Sequence, residues 1–240
     1  MAQSYFIWNG MDCRSKGLIL DGPIPIIRPE ERVKHIEIPG RSGDLTELEG
    51  EDDELIYNSY IQTATIKVPG GYRVREIFNW LKGSGYVTFH GEPDRQQAAR
   101  IIGAITLNKH SRNLDWWEGE CQFYCQPFKT LLADKKTDIT SSGTVIRNTG
   151  DVTERPLIVV TCSGSTPTIT IGGKSFSVSD CSSGTKFRID CDAGIVTNND
   201  GTSDWTKWST GKFPKLQPGN NTVTGSGWSK LEFYRRERFL

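Results

Sequence analysis

The chain has 240 residues and carries 29 basic against 29 acidic residues, so its formal net charge is zero. This length allows one or two domains with a substantial core. The balanced charge and the lack of a polybasic run argue against tight binding to nucleic acid or an anionic membrane. No apolar stretch approaches the ~18 residues of a membrane span, and the N-terminal segment does not resemble a secretory signal, so we expect a cytoplasmic protein.

The first half of the sequence predicts strands and one main helix. Asn9-Gly10 is typical of a tight hairpin, and the segments KHIEI, YIQTATIKV and YVTFH are typical of strands. Apolar residues at helical spacing predict a helix over 74–81, with Gly83 or Gly85 as its stop. After YVTFH, the tripeptide EPD predicts a turn, and QQAARIIGAITL predicts a short helical turn that leads into a strand, with Asp94 as the N-cap.

The segment RSGDLTELEGEDDELIYN is rich in glycine and acidic residues and predicts a loop between two strands. A solvated loop, a contact surface for a basic partner and a calcium site are the alternatives, although the spacing does not match an EF-hand. The candidate contact residues in this segment are Asp44, Glu51, Asp52, Asp53 and Glu54.

The alternation in WEGECQFYC predicts a strand with Cys121, Phe123 and Cys125 on one face. Four residues of strand separate the two cysteines by about 13 Å, which is too far for a disulfide between them. Six cysteines occur in all, and we expect buried free thiols. A disulfide elsewhere and a metal site remain alternatives, although no histidine lies in a zinc-like pattern.

The composition changes near Ala133, where a polar segment predicts a boundary between domains at 1–133 and 134–240. The second half has many short strand-like runs separated by turn signals and predicts a β-sandwich. Gly172-Gly173 predicts one hairpin, and Asn199-Asp200-Gly201 another. Pro218-Gly219 predicts a type II turn that closes a further hairpin, with the strand from Thr222 pairing back.

Trp205 and Trp208 are candidate aromatic contact residues, because tryptophans in a β-sandwich are able to stack on sugars. They are three residues apart and therefore form one platform only if they lie in a loop. Core packing and contact with another protein are the alternative interpretations.

No local motif for catalysis, phosphate binding or dinucleotide binding is present in the sequence. The three histidines are not paired with a nucleophile, and we interpret them as surface residues. We therefore predict no catalytic residue, no cofactor and no metal site, and a protein that is not an enzyme.

The order and spacing of several segments resemble the distal tail protein family of long-tailed siphophages and prophages over nearly the full length. The segments are IRPEERVKHIEIPGRSGDLTE, REIFNWLKGSGYVTF, EPDRQQAARIIGAI, ECQFYCQPF, IDCDAGIVTNNDG and GKFPKLQPGNNTVTGSG. The resemblance implies a mostly β fold, with an N-terminal β-rich α+β domain and a C-terminal sandwich like a galectin or carbohydrate module.

The same resemblance implies a structural protein of the virion, located at the tail tip and assembled in the host cytoplasm. It implies a ring, usually a hexamer, that joins the tail tube protein to tail-tip or receptor-binding baseplate proteins and leaves a channel for DNA. No sequence-specific contact with nucleic acid and no membrane contact are expected. Larger relatives carry inserted carbohydrate modules for which this chain has no room, so adhesion is assigned to a partner.

A closed ring needs two complementary patches on each copy. The candidates from the sequence are the acidic segment 44–54 and two basic stretches, RVR with Arg73 and Arg75, and YRRER at 234–238. The alternative function is a free-standing carbohydrate-binding protein that acts through the C-terminal sandwich.

Overall fold

The computed structural model describes residues 4–48, 54–110, 115–133, 135–202 and 209–240. The chain divides into two compact units. Unit 1 comprises Met1–Leu132 with Leu240, and unit 2 comprises Ala133–Phe239.

Unit 1 contains ten strands and the helix α1 (Val74–Trp80) in its described part. The strands are β1 (Phe6–Trp8), β2 (Met11–Asp12), β3 (Ile19–Leu20), β4 (Val33–Ile36), β5 (Leu45–Leu48), β6 (Tyr60–Pro69), β7 (Ser84–Phe89), β8 (Arg95–Ile102), β9 (Leu107–Lys109) and β10 (Trp116–Leu131). Among the described residues, the 3-10 turn Cys13–Lys16 connects β2 to β3, and the 3-10 turn Gly71–Arg73 leads into α1.

The main sheet of unit 1 has the order β2-β1-β7-β8-β10-β6-β3, and β9 also pairs with β10. One face of this sheet is buried: Cys121 and Phe123 of β10 and Ala64 of β6 belong to one apolar core together with Ile77 of α1. The alternation predicted for β10 is thus confirmed, and its even-numbered residues from Glu120 to Tyr124 lie on the opposite face. We call that opposite side the open face.

The helix α1 covers Val74–Trp80 and so ends one residue before the predicted range of 74–81. Ile77 and Leu81 are buried as expected, but Phe78 is 40% exposed. Trp80, which lies off the stripe, stacks on Phe6 with the ring centroids 5.8 Å apart. The chain leaves the helix at Leu81, and Gly83 has a positive φ of 75°, as the predicted stop requires.

Two expectations for unit 1 are wrong. The segment QQAARIIG is strand β8 rather than a helical turn, so Asp94 lies in a turn and does not cap a helix. Pairing with β7 on one side and β10 on the other outweighs the helix propensity of its Gln, Ala and Arg residues. The acidic segment also is not wholly a loop, because Leu45–Leu48 forms β5 and pairs with β4.

Unit 2 is a β-sandwich. Its strands are β11 (Lys135–Ile139), β12 (Thr144–Asn148), β13 (Leu157–Cys162), β14 (Thr168–Ile171), β15 (Lys174–Val178), β16 (Lys186–Asp190), β17 (Ile195–Asn198), β18 (Ser209–Gly211), β19 (Gly219–Ser226), β20 (Trp228–Arg235) and β21 (Arg238–Phe239). Two five-stranded antiparallel sheets, β11-β20-β13-β16-β17 and β12-β19-β14-β15-β18, share one apolar core. The predicted fold class, mostly β with a C-terminal sandwich, is confirmed.

Of the two hairpins predicted at these glycine turns, the first is confirmed and the second is only partly within the described residues. Gly172 and Gly173, with φ of 57° and 75°, join β14 to β15 as predicted. A turn is also present at Asn199-Asp200-Gly201, where Gly201 N donates to Asn198 O and Asn198 N donates to Thr202 O; residues 203–208 lie outside the described residues.

The Pro218-Gly219 turn does not close a hairpin. Gly219 has φ of 92°, as a type II turn requires, but β19 pairs with β12 and β14 rather than with the residues before the turn. Leu216, just before the turn, instead forms a backbone bridge with Glu154. The Asn221 side chain spans the turn, with Nδ2 donating to Gln217 O at 2.7 Å and Oδ1 accepting from Gln217 N at 2.8 Å.

Candidate functional site

The acidic candidates lie on or beside a hairpin arm, which we define as β4, β5 and the residues between them (33–48). Within the described residues, β4 and β5 pair only with each other. The arm is mixed in charge rather than acidic, since Lys34 pairs with Glu47 at 3.4 Å and Arg41 precedes Asp44. Its apolar side chains Ile38 and Leu45 are exposed. An arm with unsatisfied strand edges and exposed apolar residues is suited to contact another chain.

The individual acidic candidates provide little further geometry. Asp44 is exposed and directly precedes β5, and Glu54 is half-buried. Glu51, Asp52 and Asp53 lie outside the described residues. The structure therefore provides no geometry for a calcium site in this segment.

The basic candidates Arg73 and Arg75 lie at a corner of unit 1 that we call the α1 corner, made of the 3-10 turn Gly71–Arg73 and the first turn of α1. The Arg73 guanidinium lies 5.5 Å from the centroid of the Tyr72 ring, and its Nε donates to the Tyr72 hydroxyl at 3.0 Å. Tyr72 is 79% exposed, and Arg75 is also exposed. In the described part of the chain neither arginine forms an ion pair.

The α1 corner is held in place by Asp115. Its Oδ2 accepts from Gly71 N at 2.8 Å, and its Oδ1 accepts from Trp117 Nε1 at 3.1 Å. These two hydrogen bonds, the Gly71 bond foremost, lower the pKa of Asp115 below its usual value. The two hydrogen bonds anchor the turn from which the exposed Tyr72 projects.

The third basic candidate, YRRER, is not an available charge patch. Arg235 is buried and donates to Glu154 at 2.6 Å and to Glu237 at 2.9 Å. Arg236 pairs with Asp190 at 2.8 Å. The expectation that this stretch complements the acidic segment is wrong, because its charges are neutralised within unit 2. Sequence alone shows the arginines but not the distant carboxylates that meet them.

Trp205 and Trp208 lie outside the described residues. Two aromatic residues near them in the sequence, Phe213 and Trp228, pack in or against the core of unit 2. Trp228 is buried and its Nε1 donates to Thr168 O at 3.0 Å, and Phe213 packs on Phe176 with ring centroids 4.7 Å apart. In the described part of unit 2 these aromatic side chains therefore do not form a sugar-binding platform.

A cleft on the open face of unit 1 was not predicted. β10 changes partner from β9 at Gly119 to β8 at Gln122, and the gap between the two pairings opens a cleft of about 570 Å³. Its walls include Gly103, Thr106, Asn108, Gly119, Glu120 and Gln122. A Cβ at Gly119 would lie only 1.9 Å from the Thr106 carbonyl oxygen, so glycine is required there. The alternation of β10 predicts that Glu120 faces outward, but only the sheet order reveals the gap.

No catalytic arrangement is present among the described residues. His35 is exposed, His90 lies beside the Tyr5 ring, and His110 lies 3.5 Å from Glu118. Across the residues that the structure covers, no group of three or more His, Cys, Asp or Glu side chains is placed to hold a metal ion. All six cysteines are buried, and none of them is in a disulfide bond. None of the described helices is both long enough and apolar enough to cross a membrane.

Comparison with known proteins identifies solved structures of similar fold. No protein-family model and no curated protein sequence matches the chain. Among solved structures, the chain is similar to the Dit protein of phage SPP1, described as a paradigm of the hub adsorption apparatus in phages that infect Gram-positive bacteria. The TM-score is 0.80 at 18% identity, with 100% of both chains covered.

A second similarity is to a chain of the phage P2 baseplate in its activated conformation with Ca. The TM-score is 0.50 at 10% identity, with 99% of this chain and 98% of that chain covered. At 18% and 10% sequence identity, the structural similarity to these two proteins establishes the fold alone. The chain therefore has the fold of the SPP1 Dit protein over its full length, and the resemblance to distal tail proteins predicted from the sequence is confirmed at the level of the fold.

Proposed function

We propose that this protein is a hub of a phage or prophage tail: a structural adaptor in the virion that joins the tail tube to the tail tip or baseplate. The observation that carries the proposal is the similarity to the SPP1 Dit protein across the whole of both chains, at a TM-score of 0.80. A match that spans both units supports a common architecture rather than one shared domain.

The proposed assembly is a ring of copies, hexameric as the family resemblance implies, with a central channel for DNA. A ring needs a head-to-tail contact between two different patches of each copy. The hairpin arm, which includes Asp44 and is followed by Glu54, is one proposed contact surface. The α1 corner with Arg73 and Arg75 is another. A net charge of zero is compatible with a channel that does not retain DNA through many phosphate contacts.

The proposed partners are other copies of the chain, the tail tube protein, and tail-tip or receptor-binding baseplate proteins. Unit 1 forms the ring and unit 2 holds the baseplate partners in this proposal. Assembly takes place in the host cytoplasm, where reducing conditions keep thiols free, and the six buried free cysteines suit that compartment. The proposed role is architectural, so we expect no enzymatic activity.

The proposal is tested by native mass spectrometry and light scattering of the full chain, alone and with tube protein. We expect a closed oligomer of defined copy number. Leu45→Asp places a charge on the apolar surface of the arm and is expected to weaken the oligomer. Val145→Asp, at a similarly exposed valine of unit 2, is the matched control and is expected to leave it intact. A strictly monomeric protein at high concentration, with and without tube protein, would contradict the proposal.

The alternative is a free-standing carbohydrate-binding protein. It predicts that replacing Trp205 and Trp208 together with alanine abolishes binding to cell-wall glycans. The adaptor proposal assigns adhesion to a partner and predicts that binding of purified cell walls is the same for this variant and the unmodified chain.

A further inference from the structure

The α1 corner presents an exposed and preorganised contact group. Tyr72 lies across Gly70, where an added Cβ would be 2.6 Å from the tyrosine ring. The Arg73 Nε donates to the Tyr72 hydroxyl, and Gly71 N donates to Asp115, so both the ring and the turn that carries it are held in place. Arg75 is exposed one residue into the first turn of α1. Exposed Tyr and Arg side chains held in one place are the residues that most often dominate the energy of protein interfaces.

The cleft on the open face has the complementary chemistry. Glu120 is exposed, and no described residue forms an ion pair with it. Asn108, Gln122 and Thr106 add amide and hydroxyl groups to the cleft. The nearby cation Lys67 is paired with Asp21 at 2.9 Å. The cleft therefore offers a carboxylate and hydrogen-bonding groups without a cation of its own to neutralise them.

The two surfaces lie on opposite sides of one sheet. The apolar core that holds Ile77 of α1 also holds Cys121 and Phe123, whereas Glu120 and Gln122 point to the open face. Trp117, which also packs on that core, contacts the turn that carries Tyr72. One copy cannot bring the two surfaces together, but a second copy with the same orientation can.

We propose that the cleft at Glu120 receives Tyr72 and Arg75 of a neighbouring copy of this chain. This inference rests on the proposed ring and names its contact surfaces. The Arg75 guanidinium pairs with the Glu120 carboxylate, and the Tyr72 ring fills the cleft above Gly119. A cleft of about 570 Å³ is of the size that encloses such side chains. Because the two patches differ and face away from each other, the contact is head-to-tail, as a closed ring requires.

Charge reversal with rescue tests this pairing in the full chain. Glu120→Arg and Arg75→Glu, made singly, each place like charges in the contact. Each is expected to raise the concentration for half-assembly at least about tenfold. The double variant Glu120→Arg/Arg75→Glu restores an opposite-charge pair and is expected to return within about threefold of the unmodified chain. Asp94→Arg, at an exposed turn of unit 1 outside both surfaces, is the matched control and is expected to assemble normally.

Tyr72→Ala provides a second, independent variant. Because Tyr72 is 79% exposed, its loss is expected to leave the melting temperature of the unassembled chain unchanged while weakening assembly at least about tenfold. If the unmodified chain forms rings and the single charge reversals do so equally well, or the double variant is not rescued, the inference is wrong while the proposed function stands. If the unmodified chain forms no oligomer under any condition, both are wrong.

Discussion

The buried arginine of unit 2 leads to a quantitative prediction. Arg235 Nε donates to both carboxylate oxygens of Glu154, at 2.9 and 3.0 Å, and its Nη2 donates to Glu154, Glu237 and the Arg147 carbonyl. The side chains of Arg235, Glu154 and Glu237 are almost completely buried. Arg235→Met keeps the apolar stem but leaves two buried carboxylates that previously shared one guanidinium group.

The expected loss is about 3–5 kcal/mol in the free energy of unfolding of unit 2 at neutral pH, the usual cost of removing one partner of a buried ion pair. In the unmodified chain, burial raises the pKa of Glu237, but hydrogen bonds from Thr149 and the charge of Arg235 outweigh it and lower the pKa overall. A lowered pKa contributes stability above the pKa of the unfolded chain, and this stability is lost as the pH falls. The unmodified chain therefore loses the Glu237 contribution as the pH falls below about 4.5, so the difference in stability between the two proteins should shrink in that range.

Hydrogen exchange with mass spectrometry across a urea series measures the unfolding of unit 2 separately from that of unit 1. Arg236→Met is the matched control: it removes the neighbouring arginine, whose pair with Asp190 is partly exposed. We expect the control to cost about 0–1 kcal/mol. A loss below about 1 kcal/mol for Arg235→Met at pH 7, or a loss equal to that of the control, would refute the reasoning.

Three further predictions concern single features. Gly219→Val forces a β-branched residue to φ of 92° and should lower the unfolding free energy of unit 2 by about 1–3 kcal/mol in a thermal melt, with oligomer formation retained. The control Gly164→Val, at a glycine without positive φ, should lower it by less. Hydrogen bonds from Lys136 and Lys230 lower the pKa of Glu232 to about 2. Acid titration of unit 2 should therefore show a loss of stability between about pH 4.5 and 2, and the Glu232→Gln variant should lose less stability over the same range. Burial raises the pKa of Cys121 and Cys125 to about 12, so a thiol reagent at pH 8 should label them only after unfolding.

The alternation of apolar and polar residues along the strands, together with the residue types at the turns, predicted much of the fold. β6 and β10 bury every second residue, so their composition reveals both strand and face. Gly172-Gly173 satisfies a two-residue hairpin whose backbone needs positive φ at both positions. These are local constraints, and a local sequence pattern is sufficient to express them.

The errors arise where distant partners decide the structure. β8 has the composition of a helix but lies between two strands, and β5 forms because β4 is available to pair with it. The Pro218-Gly219 turn has the predicted local form, yet the strand after it finds its partner in β12, far back in the sequence. Such pairings are not encoded in the local pattern.

In the candidate sites, too, features set by the local sequence could be predicted and features set by distant residues could not. Exposed Arg75 and the outward direction of Glu120 follow from local periodicity. The neutralisation of Arg235 by Glu154, which lies 81 residues earlier, and the cleft between β8 and β9 do not. The cleft exists because β10 changes partner along its length, which is a property of the sheet order.

The measurement that tests the central claim most directly is the position of the protein in an assembled particle. Gold labelling of a tagged full chain on purified tail-bearing particles, viewed by electron microscopy, should place the label at the distal end of the tail, between tube and tip. Label on the head or along the tube, or particles that contain none of the protein, would contradict a hub function.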